Sequence, residues 1–261
     1  MKVVILCGGE GTRIRDVAEN LPKPMIPIGK FPILWHIMKH YAGYGNSEFV
    51  LCLGYKAQAI KEFFVNYEVH TNDITLTLGH DTKIEIHRPH DESGWKITLA
   101  DTGLAAMTGA RIKRIADYLG DDETFMLTYG DGVSNVDLDA LVAFHQRHGK
   151  LLTLTGVRPP GRFGELDLAD DGAVCEFNEK PQATGGRISG GFFVCDRKVL
   201  SYLDDREDLV FEQEPMQALV ADGQMMVYRH DGFWQCMDTM RDFKLLNGLW
   251  GSGEAPWKTW T

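Results

Sequence analysis

The chain has 261 residues, 44% hydrophobic and 25% charged, which is material for one large α/β domain with a substantial core. Its net charge of −10 excludes general affinity for nucleic acid or anionic membrane, both of which select basic surfaces. No apolar run approaches the ~20 residues of a membrane span, the start carries no signal-peptide pattern, and five scattered cysteines without CxxC spacing read as reduced, buried thiols, so a cytoplasmic setting is expected.

Residues 2–7 (KVVILC) form a β-branched run stopped by two glycines, the pattern of a buried strand that delivers a loop. Ile33, Ile37, Met38 and Tyr41 have helical spacing, which predicts a helix over 33–44. A second strand is expected over 49–53 and a second helix over 58–66. This β-loop-α-β-α order belongs to a mostly parallel, helix-covered sheet. From 73 to 99 the period shortens. Ile74, Leu76 and Leu78, then Ile84 and Ile86, alternate with polar residues and predict half-exposed strands or hairpins. Residues 88–94 read as an exposed connection. A helix is expected over 111–119 and a buried strand over 124–128, ending in Tyr129-Gly130-Asp131-Gly132. A helix over 138–148 and strands over 151–157 and 191–195 follow, then a mixed C-terminal part. No repeat, low-complexity tract or linker interrupts the chain, so residues 1–261 are expected to form a single domain.

The first loop, Gly8-Gly9-Glu10-Gly11-Thr12-Arg13, fails the Walker A pattern and, with Ile14 in place of the third glycine, the dinucleotide fingerprint. What remains has physical meaning. Gly8, Gly9 and Gly11 let main-chain amides approach a ligand closely, and successive amides at a strand-to-helix turn suit anionic oxygens. Arg13 adds a planar fork for two phosphate oxygens, and Lys23 is held between Pro22 and Pro24.

GG-x-GTR followed by Pro22-Lys23-Pro24-Met25 resembles the signature of the sugar nucleotidyltransferases, which make NDP-sugars from an NTP and a sugar 1-phosphate. Ile14 replaces the leucine usual there. The resemblance implies a Rossmann-like α/β nucleotidyltransferase fold, with a mostly parallel mixed central sheet flanked by helices and a small additional β-rich part. It also implies that Leu6, Gly8, Gly9, Glu10, Gly11, Thr12, Arg13, Lys23, Thr108, Arg111 and Gly130 face the nucleotide. Arg13 and Lys23 would act on the phosphates during reaction.

Asp131 ends an apolar strand between two glycines, and Asp238 sits in the apolar segment Phe233-Trp234-Gln235-Cys236-Met237-Asp238. Strand ends are where open α/β sheets place ligands, and two carboxylates distant in sequence can converge on Mg²⁺ that keeps waters and substrate phosphate as its other ligands. Both match the metal-binding, catalytic aspartates of the resembled family. A longer set of segments resembles its cytidylyl-transferring branch. These include Leu53-Gly54-Tyr55-Lys56, Met107-Thr108-Gly109, Pro160-Gly161-Arg162-Phe163-Gly164, Gly191-Phe192-Phe193-Val194 and Phe233-Trp234-Gln235. That resemblance implies attack by α-D-glucose 1-phosphate on the α-phosphorus of CTP, giving CDP-glucose and pyrophosphate. It also implies sugar-phosphate contacts from Gly164, Glu179, Lys180, Ser189 and Gly190. Ser189 stands where the family has asparagine, and Glu165 where a small residue is common, both in the sugar region. The same chemistry with another sugar 1-phosphate, or with UTP or dTTP, stays open, as does a non-catalytic nucleotide-binding regulator. A homo-oligomer is expected.

His36 and His40, and His145 and His148, have helical spacing but no third metal ligand nearby, and read as packing or surface residues. Trp250, Trp257 and Trp260 read as a C-terminal segment packed on the body or on a neighbouring subunit.

Overall fold

The interior strand β1 (Val3–Leu6) is buried on both faces, because every residue of VVIL is apolar and adjacent side chains point to opposite sides of the sheet. The computed structural model describes residues 1–9, 21–79, 82–87, 91–158, 165–168, 174–178 and 186–260, with the strands at 165–168 and 174–178 described through their backbone alone. After β1 come a 3-10 turn at Lys23–Met25, a small ladder of β2 (Pro27–Ile28) with β3 (Phe31–Pro32), helix α1 (Ile33–Gly43), strand β4 (Glu48–Leu53), and helices α2 (Ala57–Val65) and α3 (Tyr67–Thr71). The hairpin β5 (Ile74–Thr77) and β6 (Lys83–Ile86) precedes β7 (Lys96–Asp101), α4 (Thr108–Arg114), β8 (Thr124–Tyr129), β9 (Gly132–Ser134) and α5 (Leu138–His148). The second half contains β10 (Leu152–Val157), a ladder of β11 (Glu165–Leu168) with β12 (Val174–Asn178), then β13 (Ile188–Asp196), α6 (Glu214–Ala221), β14 (Met225–His230), β15 (Trp234–Cys236) and α7 (Met240–Gly251).

The seven-stranded sheet runs β14-β10-β13-β8-β1-β4-β7. The β1–β4, β1–β8, β4–β7 and β10–β14 pairs are parallel, and β13 runs antiparallel to both neighbours. Helices cover both faces. Val3, Ile5, Phe49, Leu51 and Met126 pack with α1, α5 and α7 on one side. Val4, Leu6, Val50, Leu127 and Phe193 pack with α4, α6 and the 3-10 helices on the other. This alternation along each strand accounts for the continuous apolar runs in the sequence, and the expected mostly parallel mixed sheet flanked by helices is the architecture found.

Four local expectations change. The helix expected over 111–119 starts at Thr108 and stops at Arg114, with Ala116–Leu119 in a 3-10 turn. The carbonyl of Leu209 accepts from the amides of Gly109 and Ala110, which anchors the early start. The strand expected over 191–195 begins at Ile188, because β10 supplies partners as far as Val157. Within 88–94, residues 88–90 lie outside the described set, and Glu92 is buried in an ion pair with Lys39 at 2.9 Å rather than exposed. Cys7, Cys52 and Cys195 are buried as expected, but Cys236 is only half-buried.

The expected C-terminal packing is found. Trp257 is fully buried and stacks with Phe233 and Trp250. Its indole N–H donates to Nδ1 of His36, whose Nε2–H donates to the carbonyl of Ile28. These partners fix the His36 tautomer, and burial pulls its pKa down to about 4.

Candidate functional site

β1, β4 and β8 run parallel, so their carboxyl ends lie together: Leu6 pairs with both Cys52 and Tyr129. The chain leaves β1 towards β4 and later returns on its other side as β8. A crevice at such a reversal is the usual ligand site of an open α/β sheet. The crevice is a cavity of about 380 Å³, lined by Leu6, Gly9, Lys23, Pro24, Ala106, Met107, Thr108, Arg111, Tyr129, Gly130, Asp131 and Asp238.

Asp131 and Asp238 meet because β9 and β15 pair antiparallel. Gly132 lies opposite Cys236, and the amide of Met237 donates to the carbonyl of Asp131 at 2.8 Å. Asp131 immediately precedes β9, and Asp238 lies just beyond β15. Beyond Asp238, α7 opens on a reciprocal cap. Thr239 and Asp242 exchange side-chain-to-backbone bonds, and the Asp242 carboxylate also accepts from the amide of Asp238. The second carboxylate is thus anchored from both sides.

Between them sits the ammonium of Lys23. It donates to Asp131 Oδ2 at 2.5 Å and also to Asp238 Oδ1. The 3-10 turn with Pro22 and Pro24 on either side delivers it there. Burial opposes the charged form, but the charge of Asp131 and the hydrogen bonds to Asp131 and Asp238 outweigh it, so the Lys23 pKa stands above the ordinary lysine value. Two hard carboxylates converging on one cation form the kind of donor set that Mg²⁺ accepts when water and substrate phosphate complete its shell. Among the described residues no group of three or more His, Cys, Asp or Glu is placed to hold a metal ion. Next to them, burial followed by the charge of Asp238 pushes the Cys236 thiol up to about 12, which keeps it protonated.

Arg111 lines the cavity in a way the sequence did not suggest. Its buried guanidinium donates to the carbonyls of Leu53, Gly103, Gly8 and Leu104 and to the hydroxyl of Thr102. It ties together the ends of β1, β4 and β7. Gly8 is glycine for this reason: a Cβ there would lie 2.2 Å from Cζ of Arg111. Thr108 is likewise engaged, donating to Glu212 at 2.6 Å and accepting from the amide of Phe211 at 2.9 Å.

The expected residues therefore divide by position. Leu6, Gly9, Lys23, Thr108, Arg111, Gly130, Asp131 and Asp238 share the cavity wall, with Gly8 directly behind it. Ser189 and Gly190 lie outside this cavity, at the start of β13. Ser189 is exposed, and the Gly190 carbonyl accepts from Trp234 Nε1 at 2.7 Å. Glu10, Gly11, Thr12, Arg13, Gly164, Glu179 and Lys180 lie outside the described residues. Tyr129 and Glu212 were not among the expected site residues. Tyr129 has a signal, its place two residues before Asp131; Glu212, one of several acids ahead of α6, has none.

A nucleotidyl transferase family profile matches residues 2–244. The chain belongs to the nucleotidyl transferase family. Over 260 residues, covering 100% of both chains, it is 49% identical to glucose-1-phosphate cytidylyltransferase of Salmonella typhi. A probable glucose-1-phosphate cytidylyltransferase of Bacillus subtilis is 45% identical over the same span. The fold of this nucleotidyl transferase is similar to that of HddC from Yersinia pseudotuberculosis, solved with GMP-PN. The TM-score is 0.68, the identity is 21%, and 95% of this chain and 99% of that one are covered.

Proposed function

We propose that this nucleotidyl transferase moves a cytidylyl group from CTP to α-D-glucose 1-phosphate, releasing pyrophosphate and forming CDP-glucose. The full-length likeness to the cytidylyltransferases supports the substrate pair. The observation that carries the chemistry is the convergence of Lys23, Asp131 and Asp238 at the carboxyl end of β1 and β8.

In the reaction a phosphate oxygen of the sugar phosphate forms a bond to the α-phosphorus of CTP. The bond from that phosphorus to the bridging β-phosphate oxygen breaks, and its electron pair leaves with pyrophosphate. The nucleophile is already an anion, so no general base is required. Bringing two polyanions together is the difficulty, which positioning and fixed positive charge address. Lys23 supplies a permanently charged donor beside the α-phosphoryl group. Gly8 and Gly9 offer backbone close to the phosphates, and Arg13 stabilises the leaving group. Asp131 and Asp238 would hold Mg²⁺, which when bound supplies charge neutralisation on phosphate oxygens. By likeness to the cytidylyltransferases, the sugar phosphate would be contacted by Gly164, Glu179, Lys180, Ser189 and Gly190.

Residues 1–261 act as one catalytic unit in this reading. A second copy of the chain is its partner, supported by the exposed apolar side chains Leu76, Leu78, Ile84 and Ile86 on the β5–β6 hairpin. No described helix is long and apolar enough to cross a membrane, and the buried free thiols suit a reducing cytoplasm.

The test is incubation with CTP, glucose 1-phosphate and Mg²⁺, with nucleotide products resolved by mass. CDP-glucose in amounts equal to the pyrophosphate released is expected. Absence of both would remove the catalytic assignment.

A further inference from the structure

Glu212 lies in the loop before α6, and each of its carboxylate oxygens takes a different part of the cavity wall. Oε1 accepts from the phenol of Tyr129, at the end of β8. Oε2 accepts from the hydroxyl of Thr108, at the start of α4, at 2.6 Å. Both partners line the cavity, while Glu212 itself does not.

The rest of the loop runs along the same helix start. The carbonyl of Glu207 accepts from the amide of Met107 at 2.7 Å, that of Leu209 accepts from Gly109 at 2.9 Å, and the Phe211 amide donates to Thr108 Oγ1. Tyr129 is confined from behind as well. Gly191 has φ +76°, and a Cβ there would lie 2.3 Å from the tyrosine ring, so the ring occupies space that only glycine leaves open. Phe193 meets the same ring edge to face at 5.8 Å. The body of Tyr129 is therefore held by packing and its tip by Glu212.

We infer that Glu212 is a positioning residue for nucleotide binding: one carboxylate locks the Tyr129 ring and the Thr108 helix start into a single rigid wall. The inference rests on the reading of this cavity as the nucleotide site. Burial first, and then the charge of Glu212, push the Tyr129 phenol well above the ordinary tyrosine range, so the phenol keeps its proton and stays the donor. Without the Glu212 carboxylate, the Tyr129 tip and the Thr108 helix start are no longer tied to one another and the wall must be ordered anew each time nucleotide binds, at a cost in affinity.

The test is CTP titration by calorimetry, with Mg²⁺ and no sugar phosphate, on wild type, Glu212→Gln, Tyr129→Phe and the double variant. An amide keeps one oxygen acceptor and puts an N–H donor in place of the other, so at least one of the two hydroxyls loses its charged acceptor while the shape is kept. Glu212→Gln and Tyr129→Phe are each expected to weaken CTP by roughly tenfold, and the double variant no further than either single one. In turnover, KM for CTP should rise by a similar factor while kcat stays within about threefold. Wild-type affinity in Glu212→Gln, or losses that multiply in the double variant, would overturn the inference. Should Glu212→Gln not fold, Tyr129→Phe alone decides it, since that variant removes only one hydroxyl. Failure of the wild type to bind CTP would overturn the site assignment itself, an outcome the same titration distinguishes.

Discussion

The amide of Met237 donates to the carbonyl of Asp131 at 2.8 Å, and this bond extends the β9–β15 ladder to the point where Asp131 and Asp238 face the same ammonium. Two carboxylates so close repel one another unless a cation lies between them. Lys23 is that cation here.

Replacing Lys23 by methionine should therefore have two separable effects. Turnover should fall by roughly 100-fold or more, as expected when a fixed charge beside a transferring phosphoryl group is removed. In the absence of substrate the two carboxylates lose their shared partner, so Mg²⁺ should raise the Tm of Lys23→Met more than that of wild type. Thermal melts with and without Mg²⁺ check the second effect independently of activity. An equal Mg²⁺ response in the two proteins would contradict it.

Asp131→Asn and Asp238→Asn should each lower kcat by roughly 100-fold, about 2.7 kcal/mol in barrier height, with the fold retained. Both side chains are partly exposed, and an amide can still face Lys23. Far-ultraviolet circular dichroism should overlay on wild type. Unchanged turnover in either variant would remove that carboxylate from the phosphate chemistry.

Stability should fall on mild acidification. Burial lowers the pKa of both His36 and His40 from 6.5 to about 4, so the folded state resists their protonation and the unfolded chain does not. The unfolded chain binds more protons between these values. The contribution is complete above pH 6.5 and is lost as pH falls towards 4. For His36 alone the loss at pH 5 is on the order of 2 kcal/mol. Urea unfolding at pH 7 and pH 5 measures it, and His36→Gln should flatten the difference. A pH-independent midpoint in wild type would contradict the assignment.

Trp257→Ala should destabilise the protein by about 3–5 kcal/mol, since the indole is fully buried between Phe233, Trp250 and His36. The same substitution removes the donor to His36 Nδ1. Its effect is measured by the urea midpoint at pH 7, where both histidines are neutral.

Arg111→Lys tests the strand-end clamp. A lysine has one nitrogen and cannot serve carbonyls of Gly8, Leu53, Gly103 and Leu104 together. CTP affinity should fall by roughly tenfold and Tm by several degrees. Loss of affinity at unchanged Tm would instead indicate direct contact between Arg111 and nucleotide.

Much of this molecule is readable along the chain because its parallel strands are buried on both faces. The strands Val3–Leu6, Glu48–Leu53, Thr124–Tyr129 and Leu152–Val157 are mostly apolar and buried at all but their end residues, with threonine as the polar residue inside them. Their carboxyl ends carry Gly8, Gly9, Gly130 and Asp131, so the place of the cavity follows from the pattern. The remainder depends on contacts between distant segments. Nothing periodic marks Cys236 as the partner of Gly132, although that pairing aligns the two aspartates. The role of Arg111 as a tie between carbonyls leaves no trace in sequence, because every chain has carbonyls everywhere. Glu212 is equally silent, since its partners are one hydroxyl from each of two distant elements. The hairpin at β5 and β6 reads correctly as alternating strands, yet Leu76, Ile84 and Ile86 are exposed, and alternation alone does not say whether an apolar side is buried.

Whether this cavity selects CTP and glucose 1-phosphate is decided by competition among triphosphates. ATP, GTP, UTP, dTTP and CTP at equal concentration are incubated with enzyme, Mg²⁺ and glucose 1-phosphate, and the nucleotide sugars are resolved by mass. CDP-glucose as the dominant product, lost in Lys23→Met, is the predicted result. A dominant product carrying another base, or no nucleotide sugar from any triphosphate, would contradict it.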